Sequence, residues 1–102
     1  MSLHSLIMSL LSGILDPVTR VDIASTIHYI FDIYSSGNIS DADAKNALFE
    51  ICVDVLRATK PDLTDEEIKE NAEQLSEQFI KAFRIEALRR RMLSRFRSRM
   101  PI

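Results

Sequence analysis

Residues 65–100 read DEEIKENAEQLSEQFIKAFRIEALRRRMLSRFRSRM, a run with no glycine or proline until Pro101. Ile68, Ala72, Leu75, Phe79 and Phe83 recur at three- and four-residue spacing, and so do Ile85, Leu88, Met92, Phe96 and Met100. That period belongs to one face of an α-helix, since a half-buried strand would alternate every second residue. A straight helix of this length spans about 54 Å at 1.5 Å per residue. A domain of about 100 residues has a radius of gyration near 13 Å, roughly 33 Å across. The segment must therefore overhang its own domain, bend or break. The second stripe is also rotated from the first by about 90°, at 100° per residue. Glu86, Arg90 and Arg97 take up the direction along which the first stripe would have continued. Two stripes imply two neighbours. The first half is expected to pack on the rest of the chain, and the second to meet another chain or another layer.

Three shorter helices are expected upstream. The first covers Leu3–Leu15, with Leu3, Leu6, Ile7, Leu10 and Ile14 on one face. Ser5, Ser9 and Ser12 form a small-residue stripe that would let a second helix approach. Asp16-Pro17 starts the next helix, because an Asp side chain accepts free amide protons and Pro at the first helical position loses no hydrogen bond. Ile23, Ile27, Ile30 and Tyr34 mark its buried face, and Gly37 suits the left-handed position after its end. Ser40 with Asp43 opens a third helix, whose stripe is Ala44, Ala47, Leu48, Ile51, Cys52, Val55 and Leu56. Thr64 with Glu67 is a second capping box, and Asp65, Glu66 and Glu67 suit the positive end of the helix dipole. The expected fold class is all-α: a small bundle of about four helices with a long or broken Arg-rich C-terminal helix. It forms one domain over residues 1–102, an acidic body (1–83) followed by an Arg-rich amphipathic helix (84–102).

Composition narrows the function classes. The chain has 102 residues, 46% hydrophobic, with one Cys, two Gly and no Trp. One Cys allows neither a disulfide framework nor a cysteine-built zinc site, and two glycines are too few for phosphate-cradling loops. The apolar N-terminal run lacks the charge and cleavage pattern of a secretory signal and is shorter than the roughly 20 residues of a membrane span. The expected location is cytoplasmic, with no membrane partner.

Charge is segregated. Residues 1–83 carry six Lys and Arg against fourteen Asp and Glu, a net of −8; residues 84–102 carry seven Arg and one Glu, a net of +6. Arg91 with Arg95, and Arg95 with Arg99, stand four apart and repel by about 0.2–0.5 kcal/mol each in an isolated helix. Something outside the helix must offset that charge. One reading pairs the arginines with the acidic body, within the chain or across a dimer. The other directs Arg84, Arg89, Arg90, Arg91, Arg95, Arg97 and Arg99 to an external polyanion, nucleic acid above all.

Asp32 to Asp43 resembles an EF-hand calcium loop, with Asp32, Gly37, Ile39, Ser40 and Asp43 at its first, sixth, eighth, ninth and twelfth positions. Tyr34 stands at the third position, where a carboxylate ligand belongs, and Asp43 is shorter than the usual bidentate Glu. A helix–turn–helix connection accounts for every match, so no metal is expected. His28 and Asp32 share a helix face, but two groups make no catalytic site. Cys52 lies within an apolar stripe. The glutamates from Glu66 to Glu77 read as a solvated face with Asp65/Lys69 and Glu77/Lys81 pairs, and the aromatic residues mostly as core. No enzymatic activity, cofactor or small-molecule substrate is expected. The expected role is a small subunit or adaptor, or a homodimer, whose contact surface is Ile85, Leu88, Met92, Phe96 and Met100. The alternative is a nucleic-acid-binding accessory protein using the Arg cluster.

Overall fold

The computed structural model describes residues 2–99. It contains α1 (Leu3–Leu10), a 3-10 turn (Leu11–Gly13), α2 (Pro17–Ser35), α3 (Asp41–Thr59) and α4 (Asp65–Arg99), with no strand among the described residues. The fold is an all-α bundle, and α4 is one continuous helix.

Local chemistry fixes most of the boundaries. Asp16 caps α2 by accepting from the Thr19 amide (3.1 Å), with Pro17 at the first helical position. Gly37 has φ +82° in the α2–α3 connection, a conformation that penalises any Cβ. Ser40 caps α3 through the Asp43 amide (3.1 Å). At α4 the capping box closes in both directions: the Thr64 amide donates to Glu67 Oε1 and the Glu67 amide to Thr64 Oγ1.

The first helix ends earlier than its apolar pattern implies. It gives way to the 3-10 turn at Leu11, Ile14 is extended, and Leu15 is 90% exposed. At Gly13 a Cβ would stand 3.0 Å from Thr59 Cβ, so the turn passes close against the end of α3. That approach occurs at Gly13 and not at Ser5, Ser9 and Ser12, which all face solvent.

Four ion pairs record the antiparallel run of α3 against α4. Arg57 faces Asp65 (3.9 Å), Lys45 bridges Glu73 and Glu77 (2.5 and 2.6 Å), and Arg84 meets Asp41 (2.7 Å). The Asp65/Lys69 and Glu77/Lys81 pairs expected along α4 are replaced by these contacts to α3, because the neighbouring helix brings opposite charge just as close. Between the helices lie Phe31, Phe79, Phe83, Ile27, Leu48 and Ile80, all essentially inaccessible. Phe31 and Phe83 meet edge to face at 5.1 Å between centroids. Tyr29 departs from the expected aromatic core, being well exposed.

The molecule measures 57 × 28 × 21 Å with a radius of gyration of 15.4 Å, above the value of about 13 Å for a compact chain of this length. The excess is α4. Its last buried residue is Ala87, and every residue from 91 to 99 is exposed. No described helix is long and apolar enough to cross a membrane.

Candidate interaction surface

The face of α4 turned to the body comprises Ile68, Ala72, Ser76, Phe79, Ile80, Phe83 and Ala87. It continues beyond Ala87 through an arginine. The Arg90 guanidinium lies 4.5 Å from the centre of the Phe31 ring, and its Nη1 donates to Asp32 Oδ1 at 3.2 Å. A cation over a ring contributes about 0.5–1 kcal/mol at an exposed site. Arg90 thus acts as the last rung of the body-facing stripe.

Ile85, Leu88, Met92 and Phe96 stand on the opposite side of α4, about 180° away from that stripe at 100° per residue and not the quarter-turn of the sequence reading. They are 67%, 53%, 60% and 62% exposed. Ile85 borders a shallow cleft with Leu6 of α1, and the other three are each more than half exposed. Met100 lies outside the described residues. Leu88, Met92 and Phe96 form one ridge at four-residue spacing, and Arg91, Arg95 and Arg99 form the adjacent ridge.

The seven arginines divide into two groups. Arg84 donates through Nε to Asp41 at 2.8 Å, Arg90 is bound to Asp32, and Arg89 reaches Glu86 on its own helix at 4.0 Å. The hydrogen bond from Arg84 holds the Asp41 carboxyl below its ordinary range and raises the guanidinium in turn. Burial, and then the nearby Asp41 carboxylate, push the Tyr34 phenol upward. Among the described residues Arg91, Arg95, Arg97 and Arg99 have no ion-pair partner. Three of the seven are therefore neutralised by the chain's own acids, and four project into solvent beyond them.

The remaining candidates are accounted for locally. Asp32, the first position of the EF-hand-like loop, is engaged by Arg90, and no described residues gather three metal-ligating side chains. His28 is exposed and lines a cleft with His4, Phe31, Glu86, Arg89 and Arg90. Cys52 is buried, and loss of water around it pushes its thiol up to about 12. A groove that the sequence pattern did not reveal runs between α2 and α3, with a volume of about 340 Å³. Its signal in the sequence was slight: Asp22 and Asp54 sit beside apolar stripes on helices whose mutual packing could not be read. No family model, curated protein or solved structure matches the chain.

Proposed function

We propose that this protein is a non-catalytic helical interaction module, a small subunit or adaptor of a larger assembly or a homodimer, with the C-terminal part of α4 as its contact surface. The supporting observation is the overhang. A continuous helix carries Met92 and Phe96 past the last buried residue, where both are about three-fifths exposed. An apolar ridge on a rigid helix stabilises nothing in the isolated chain, and its burial against a partner would contribute about 25 cal/mol per Å² of apolar surface. The contact surface is narrower than residues 84–102, because Arg84, Ala87 and Arg90 serve the body.

A chain ending at Arg90 tests this. It retains every buried side chain and the Arg90–Asp32 pair, so its body should still fold, with a cooperative thermal transition. Assembly should be lost. A shortened chain that assembles as the full chain does contradicts the proposal.

The four unpaired arginines favour nucleic acid as the second reading. Counterion release makes phosphate binding fall steeply with salt, whereas apolar contacts respond little. Fluorescence anisotropy of labelled DNA and RNA, single-stranded and duplex, at two salt concentrations separates the two. Steeply salt-dependent binding that disappears on truncation at Arg90 would establish phosphate contact; no binding at low salt would remove it.

A further inference from the structure

We infer that the groove between α2 and α3 receives the C-terminal segment of α4 from a second copy of this chain, an inference that rests on the proposed role of α4 as contact surface. The groove is walled by Ile14, Ile23, Ile51 and Val55, with Asp22 standing on the α2 wall and Asp54 on the α3 wall. Neither carboxylate has an ion-pair partner among the described residues. The hydroxyls of Thr19 and Thr26, which also line it, are already committed to Asp16 and to the Asp22 carbonyl. What the groove offers an incoming molecule is therefore an apolar floor between two unneutralised negative charges. The α4 overhang carries the complement: an apolar ridge of Met92 and Phe96 beside a ridge of Arg91, Arg95 and Arg99, none paired among the described residues.

The chain cannot place its own overhang in its own groove. Asp54 lies one turn from Arg57, which faces Asp65 at the start of α4. Phe96 is about 46 Å further along a helix with no break. A second molecule must supply the ridge. Pairing two overhangs with each other would bring arginine ridges together and leave them repelling. Phosphate is repelled by Asp22 and Asp54, so nucleic acid does not suit the groove. Docking of each overhang in the other copy's groove closes a two-fold dimer and covers both unpaired surfaces at once.

Sedimentation equilibrium of the full chain at about 100 μM and low salt is the test. The expected mass is twice the 11.7 kDa of the chain. The groove variant Asp22→Lys/Asp54→Lys and the overhang variant Arg91→Glu/Arg95→Glu should each be monomeric. Their equimolar mixture should dimerise again, because both contacts between unlike copies then join opposite charges. The milder Asp22→Asn/Asp54→Asn variant adds no repulsion and should still weaken the dimer. A monomeric wild type, a variant that dimerises unaided, a mixture that stays monomeric, or an Asn variant as tight as wild type overturns the inference. A monomeric wild type overturns self-docking alone; the contact-surface proposal fails on the separate result that truncation at Arg90 changes no assembly.

Discussion

Cys52 sits in the interior with its thiol pushed up to about 12 by loss of water, so very little thiolate forms at neutral pH. Its alkylation should proceed only through unfolding, at a rate that rises with denaturant in step with the loss of helical signal; fast labelling of the native chain would contradict this placement. At Gly37 the positive φ makes Gly37→Ala destabilising by about 1 kcal/mol, with no loss of contacts since nothing lies near the added methyl. At Gly13 the penalty is steric: Gly13→Val should cost about 1–3 kcal/mol and lose part of that cost in a Thr59→Gly background, as read from urea midpoints. Asp41 responds to pH. The Arg84 hydrogen bond lowers its folded pKa below the ordinary 3.8, so its contribution to stability is complete above that value. The contribution is lost as pH falls through the depressed folded value. Arg84→Gln should therefore flatten the acid limb of the stability–pH curve; an unaltered limb would show that the pair does not matter.

For the elements, α4 shows what periodicity conveys and where it stops. Its continuity and its overhang both follow from a segment without glycine or proline set against the size of a compact domain. The direction of its buried stripe does not, because Ser76 and Arg90 belong to that stripe and read as polar. Ser76 is tolerated inside because its hydroxyl donates to the Glu73 carbonyl at 2.9 Å, and Arg90, itself exposed, extends the stripe by laying its flat guanidinium over the Phe31 ring. Both are satisfied by geometry that composition does not carry. The caps at Asp16, Ser40 and Thr64 were legible, since each is a local side chain meeting a nearby amide. The end of α1 was not, because it depends on how closely Gly13 must pass Thr59, a contact between residues far apart in the chain. Phe83, at the centre of the α2–α4 contact, should cost about 3–5 kcal/mol on replacement by Ala, with loss of the cooperative transition if that exceeds the total stability. Met92→Ala and Phe96→Ala should leave the thermal midpoint of the isolated chain unchanged, because neither side chain touches the body.

Across the whole molecule, the segregated charge resolves into a partial internal neutralisation. The sequence posed a choice between the acidic body and an outside anion for all seven arginines. The fold divides them by distance along α4: Arg84 and Arg90 fall beside Asp41 and Asp32, and among the described residues those past the body have no acid within ion-pair distance. The exposed apolar ridge of Leu88, Met92 and Phe96 was legible as a second stripe, whereas the α2–α3 groove was not, because it exists only once two helices are placed side by side. Contact between the residues beyond Arg90 and another molecule is the proposal on which the rest depends. It is tested most directly by a photo-crosslinking amino acid at position 96 of the full chain in its native cell, with the same group at solvent-facing position 74 as control. Adducts of defined mass are expected from position 96 and none above background from position 74, with a mass of twice the chain identifying a second copy. Equal and diffuse labelling from the two positions would contradict it.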